Sequence, residues 1–381
     1  MKTPETSALF EKRINEASGV EYYVLTKKVA TYQQSFYFSN NSMTNDGRFL
    51  WFYCSFPPVF NASTRQLGVV DFETDEIHLF NDTLFSGASP YVDPETGDVY
   101  FTWGNQLLKR SPYKDANTIE LARVKTKGKL MRMSTHLTPT PDKKEFLLDI
   151  HEGVNSFYTG TINIETGEFT KWTDFDFYFN HGHMNPKNPN LALGAYDFNS
   201  DVVTGEFYTI PKDENGVYQR LWTMTRDGKK TNHAPNNNFA SHEWWSNDGK
   251  KIYYVNYNGI HRLNLETGEH INVHESNPWH AFASKDESYY VYDEVIYDKY
   301  DKWYRGCPSK LKFYDAKTDK LIEIVSYMPS NEFTPQNQCE YHIDPHPRIT
   351  ENEKYIVFTT SELGGADIGI VNVEHLLKKT R

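Results

Sequence analysis

The chain has 381 residues, 15% of them aromatic, and carries a formal net charge of −11 from 51 acidic and 40 basic residues. That balance argues against nucleic acid or an anionic membrane as the main partner, and no stretch reaches the roughly 18 apolar residues of a membrane span. The three cysteines, Cys54, Cys307 and Cys339, have no CxxC spacing, which excludes a disulfide framework and suits a reducing compartment. The opening MKTPETSALFEKRINEASG lacks the apolar core of a signal peptide, so a cytoplasmic location is expected. A signal removed beforehand would leave a periplasmic or secreted protein with the same sequence.

Taken in chain order, one unit recurs: a short polar turn followed by an aromatic-rich strand. It reads TNDGRFLWFYC from Thr44, DPETGDVYFTW from Asp93, TPDKKEFLLDI from Thr140 and NPKNPNLALGA from Asn185. It continues as SNDGKKIYYVN from Ser246, SKDESYYVYDE from Ser284 and TENEKYIVFTT from Thr350. The fourth copy is the loosest, with Pro189 and Asn190 in place of Asp-Gly. A second turn interleaves with the first, as DFETDE at Asp71, NIETGE at Asn163, NLETGE at Asn264 and YDAKTDK at Tyr314. Each sits between two strand-like runs, which is hairpin punctuation. Two hairpins per unit make four strands, and seven units at intervals of roughly 40 to 65 residues predict an all-β, seven-bladed β-propeller spanning residues 1–381 as one domain. The YYVLT segment at Tyr22–Thr26 is expected to complete the last blade beside Ile368–Val373.

Counting back six positions from the turn Asp or its equivalent reaches Asn40, Ser89, His136, His183, His242, His280 and His346. Five of seven are histidine, far more than 14 histidines in 381 residues would place at one register by chance. Rotation about a propeller axis relates such positions, so the imidazoles are expected to converge on one end of the channel. Imidazole is a common metal ligand and a natural general base. His78, His151, His233, His261, His270, His274 and His375 read as ordinary structural residues, and His181, in NHGHMNP, stays open. The segment NQCEYHIDPHPR brings Gln338, Cys339, His342 and Asp344 close to His346, a set of metal-ligand types without standard zinc spacing. Arg220 offers a fixed positive charge near His242 or a surface salt bridge, and Trp244 and Trp245 read as blade packing rather than as a sugar platform.

At MTNDGRFLWF, RLWTMTRDG, SHEWWSNDG, the His280 strand and DPHPRITENEKYIVFTT the chain resembles the oligogalacturonate lyases, seven-bladed propellers that cleave short pectin fragments. The resemblance implies a manganese ion held by histidines and a Gln, with an Arg and a further His in catalysis. By position it puts Arg220 and His242 in the catalytic pair and His280 and His346 among the metal ligands. The Gln-x-x-His-x-His pattern of the family would fall on Tyr341 and Asp344. Choosing Gln338 and His342 as the other ligands needs two extra residues in the loop. Ulvan and rhamnose–glucuronate lyases resemble the same plan and would favour His136 and His183 as catalytic residues. Zinc is an alternative ion if Cys339 replaces Gln338, and calcium is another.

The expected chemistry is metal-assisted β-elimination on an anionic, uronate-containing oligosaccharide. The metal and Arg220 would neutralise the carboxylate, and His242, with His183 second, would take the C5 proton. A non-catalytic propeller that binds a glycan, peptide or protein is the competing class. The absence of a G-x-S-x-G motif argues against a serine hydrolase.

Overall fold

Alternation puts successive side chains of a strand on opposite faces, and in the middle strands of this chain both faces are apolar. Phe49–Ser55 and Tyr355–Thr360 are buried at every position. A sheet built from such strands must be covered on both sides. The computed structural model describes residues 1–56, 65–85, 88–200, 207–233, 240–296, 307–330 and 344–381. It arranges them as seven antiparallel sheets of four or five strands around an axis, a seven-bladed β-propeller. The strands of the blades run over residues 32–85, 91–123, 130–175, 179–232, 241–274, 278–328 and 348–372. The loose fourth copy still delivers its strand, Leu191–Tyr196.

The core is divided to match. Seven apolar clusters of described residues each lie between two neighbouring blades. Along one strand of the fifth blade, Ile252 and Tyr254 pack toward the fourth blade while Tyr253 and Val255 pack toward the sixth. Full burial of each such side chain contributes about 1.5–3 kcal/mol. The ring closes as expected: the N-terminal strand Glu21–Leu25 pairs with Asp367–Asn372, with Tyr23 opposite Ile370 and Val24 opposite Gly369. Phe10–Ile14 adds a fifth strand outside it. The C-terminal helix Val373–Thr380 bolts this seam to the sixth blade, because Thr380 and Arg381 both bond Asp315, each at 2.9 Å. No helix among the described residues is long and apolar enough to cross a membrane.

The interleaved turn motif has a local cause. Asn163 Oδ1 accepts from the amides of Glu165 and Thr166 at 2.9 Å, and Asn264 Oδ1 accepts from those of Glu266 at 2.9 Å and Thr267 at 3.2 Å. Counted from the Asp or Asn that opens each turn (Asp315 in the last), the fifth residue is left-handed: Gly167 at φ 72°, Gly268 at 73°, Asp75 at 56° and Asp319 at 54°. Glycine suffers no Cβ penalty there, and Asp is among the side chains that tolerate it best.

Aromatic rings lie flat on glycines across the strands, Phe52 on Gly68 and Phe358 on Gly369. A Cβ on Gly68 would stand 2.5 Å from the Phe52 ring. Gly68→Ala is therefore expected to destabilise the protein by about 1–3 kcal/mol through overpacking, read as a lower urea midpoint with an unchanged slope. An unchanged midpoint would show that Phe52 can move aside.

Candidate active site

The inner strand of each blade begins at the axis, and in three blades it begins irregularly. The pairing register shifts between Asn180 and His183, between Ser241 and Trp244, and between Pro278 and Ala281. Bulges of this kind re-aim side chains. His181, His242 and His346 also adopt left-handed backbone, at φ 55°, 49° and 45°. Each such residue costs on the order of 1–3 kcal/mol and persists only where its surroundings hold it.

The result is the convergence that the register predicts. Ring centroids lie 4.7 Å apart for His136 and His183, 4.3 Å for His242 and His280, and 4.4 Å for His280 and His346. The two subsets meet at Tyr37, whose ring stacks on His136 at 4.5 Å and packs edge-on to His346 at 4.9 Å and His280 at 5.7 Å. Phe38 lies against His280 at 5.3 Å and His242 at 6.3 Å. Asn40 and Ser89, the non-histidine members of the register, are structural: Asn40 bonds the Leu137 carbonyl, and Ser89 Oγ accepts from Tyr53 and from the Tyr37 amide.

One group has the chemistry of a metal site. His280, Asp344 and His346 are buried, and one ligand atom from each lies within 4.8 Å of the others. His280 Nδ1 pairs with Asp293 at 3.1 Å, and its amide bonds the same carboxylate at 2.5 Å. A carboxylate behind an imidazole fixes the ring and directs its other nitrogen at a metal. Asp344 is held in turn by the Trp279 indole N–H at 3.1 Å. Two imidazoles and a carboxylate suit a divalent cation, so the donor set fits. Burial, reinforced by Asp344, pushes the Asp293 carboxyl well up. Gln338, His342 and Cys339 lie outside the described residues. The third donor that the structure places beside His280 and His346 is Asp344.

A second group surrounds His242. Its Nδ1 donates to the Trp279 carbonyl, which leaves Nε2 as the lone-pair nitrogen. Burial pushes its pKa down to about 3, against the Trp279 carbonyl, so the ring is neutral near pH 7. Beside it, Arg220 donates to the Tyr196 carbonyl at 2.6 Å and faces Glu243 at 3.4 Å and Asp197 at 3.7 Å. His181 Nδ1 lies 3.2 Å from the other Glu243 oxygen. Burial would raise the Glu243 carboxyl, but Arg220 and His181 outweigh it and hold it far below the usual range. Arg220 therefore sits among acidic partners, and a clamp on a substrate would require it to exchange one of them.

His136 and His183 form the far side. Burial drives His136 well down and His183 to about 3, so both rings are neutral. Neither nitrogen of His136, nor Nε2 of His183, has a hydrogen-bond partner among the described residues. His183 also lines a cavity of about 190 Å³ with Trp245, Lys285 and Arg348. Trp244 and Trp245 are packing residues, as expected, 2% and 9% exposed. Sequence reasoning missed Tyr37, Glu243 and Asp293. Tyr37 stands three residues before Asn40, and Glu243 adjoins His242, so the histidine register itself pointed to both neighbourhoods.

No family model matches the chain. A curated oligogalacturonate lyase of Dickeya dadantii is 25% identical over 369 residues, covering 85% of this chain and 86% of that protein. Among solved structures, an oligogalacturonate lyase in complex with manganese superimposes with a TM-score of 0.73 at 16% identity, covering 96% of both chains. The oligogalacturonate lyase of Vibrio parahaemolyticus does so at 0.71 and 18%, with the same coverage. The chain resembles the oligogalacturonate lyases over most of its length. The two solved lyases share its fold, and one of them holds manganese.

The Glu243 network is open to a direct test. Because its folded pKa is lowered, Glu243 contributes stability above the ordinary carboxylate range and loses that contribution as pH falls through the folded value. Glu243→Gln should cost about 3 kcal/mol at pH 7 by leaving Arg220 with less compensation. The gap from the parent protein should narrow on acidification. Urea denaturation at neutral and acid pH measures both, and a gap independent of pH would rule out this electrostatic origin.

Proposed function

We propose that this protein is a lyase that cleaves uronate-containing, oligogalacturonate-like oligosaccharides by β-elimination. The observation that carries the reading is adjacency: the neutral His242 ring lies 4.3 Å from His280, within the group that fits a metal. Similarity to a curated oligogalacturonate lyase along 85% of the chain supports the same reading.

The C5 proton of a uronate is weakly acidic while its carboxylate is charged. A divalent cation, manganese on this reading, supplies Lewis-acid neutralisation of that carboxylate when bound. His280, Asp344 and His346 would hold it, with Asp293 orienting His280 and Trp279 orienting Asp344. His242 takes the C5 proton at Nε2, since its Nδ1 is committed to the Trp279 carbonyl. The C–H electron pair becomes the C4–C5 double bond as the C4–O bond breaks, its electron pair leaving with the oxygen, which takes a proton from water. A base with so low a pKa is fully available at neutral pH but weak, so it relies on an acidified carbon. Arg220, tied to Glu243 and Asp197, fixes a positive charge beside the base and offsets part of the acidic charge of that wall. His136 and His183, behind Tyr37, serve as wall rather than base.

Ultraviolet absorbance of the protein mixed with oligogalacturonate, with manganese and with chelator in parallel, tests the activity. The expected result is a metal-dependent rise from the conjugated 4,5-unsaturated product. A flat trace with manganese-loaded protein would overturn the assignment to this substrate. His242→Ala should lower turnover by at least about 100-fold and keep its manganese. Asp344→Ala should lose bound manganese, measured by elemental analysis. Loss of metal in the His242 variant would move that residue into the ligand set.

A further inference from the structure

His242, His280 and Asp344 share one neighbour. The Trp279 carbonyl accepts from His242, its indole N–H donates to Asp344 at 3.1 Å, and its ring packs edge-on to His242 at 5.2 Å and to His280 at 6.1 Å. The inner edges of Trp279 are thus committed to the site. Against its ring lies Tyr257, with centroids 5.4 Å apart and planes inclined by 24°.

Tyr257 stands in the tight turn between the strands Lys251–Asn256 and Gly259–Asn264 of the fifth blade. That hairpin tip and the start of the His242 strand lie at the same end of the blade, because Ser241 pairs with Val255. Tyr257 is 40% exposed, whereas Trp244 of the same blade is 2% exposed. A large aromatic side chain that remains open to water at the rim of a site, braced by a second ring, has the form of a stacking surface.

We propose that Tyr257 and Trp279 form a sugar-stacking subsite at the rim of the catalytic centre. It takes the pyranose ring next to the uronate whose C5 proton His242 removes; the identity of this ligand rests on the lyase reading. A pyranose presents C–H groups on its faces and hydroxyls around its edge. The faces pack on the negative faces of the aromatic rings while the hydroxyls keep their water. The platform carries no charge, so it adds affinity for chain length rather than for the carboxylate. Because Trp279 also holds His242 and Asp344, a sugar seated there is placed in register with both the base and the donor group.

The test compares the parent protein with Tyr257→Ala and Tyr257→Phe, using galacturonate tetramer. Two readouts are taken: initial rates with manganese, and tetramer binding by tryptophan fluorescence with chelator present. Tyr257→Ala should raise KM and the fluorescence Kd about tenfold, a loss of about 1.4 kcal/mol. Its kcat should stay within about twofold of the parent value, with full manganese content, and Tyr257→Phe should restore binding. A KM unchanged in an active Tyr257→Ala protein would overturn the subsite and leave the lyase reading intact. Loss of kcat together with manganese would also overturn it, by showing that Tyr257 only props the site. Tetramer binding that weakens in Tyr257→Ala, in a protein without turnover, would support the subsite and overturn the lyase reading. Absence of tetramer binding to the metal-free parent protein would overturn the subsite, and absence of turnover with manganese as well would overturn both.

Discussion

A four-stranded sheet with two apolar faces cannot shed water from both by itself, and everything else in this molecule follows from how that is solved. Each blade covers its neighbours, so seven clusters replace one central core. At the axis, the described residues bring polar side chains together with the rings of Tyr37 and Phe38. Equivalent positions on successive inner strands point there, which is why residues more than 200 positions apart, such as His136 and His346, both pack on the single ring of Tyr37. Closure of the ring by Glu21–Leu25 bears directly on the site, since the strand Arg348–Ile349, which begins two residues after His346, belongs to the same closing sheet.

The axis is buried as well as polar, and burial sets its chemistry. Removing imidazole from water disfavours its charged form, so His136, His183 and His242 are all driven to neutrality. Charge survives only where opposite charges are stacked against it. Arg220 keeps its proton because Glu243 and Asp197 flank it, and Glu243 keeps its charge because Arg220 and His181 flank it. The centre therefore separates into a neutral imidazole set and one compensated ionic knot. A base and a fixed charge can then sit side by side without titrating each other.

The fold was legible in the sequence because its signal is repeated. Seven copies of one turn and strand average out local exceptions such as Pro189 and Asn190, and the interleaved Asx turns mark the other hairpins. The histidine register was legible for the same reason: rotation turns a sequence offset into a spatial ring. What could not be read was anything that breaks the repeat. Tyr37 belongs to one blade alone, and Asp293 supports His280 from the neighbouring strand of its own sheet, a relation that only the paired register reveals. The metal donors show the limit most clearly. The residue types around His346 were visible, but which of them turns toward His280 depends on the path of the chain, and among the described residues the structure brings Asp344 there.

A carboxylate at position 344 changes more than one ligand. Two neutral imidazoles leave a divalent ion with its full charge, whereas an ionised Asp344 removes one unit and adds a hard oxygen donor. On the proposed reading this favours hard ions such as manganese over ions that prefer thiolate. It also weakens the direct pull of the site on an anionic sugar in a protein whose net charge is already −11. Attraction through charge alone is then a poor basis for holding the substrate, because the same field that draws one carboxylate is diluted for every further uronate in the chain. Affinity must come from contacts that do not depend on charge, and the rim of this site offers aromatic surface in Tyr257 and Trp279. On the proposed reading, the ionic part of the centre is left to act on the one uronate that reacts.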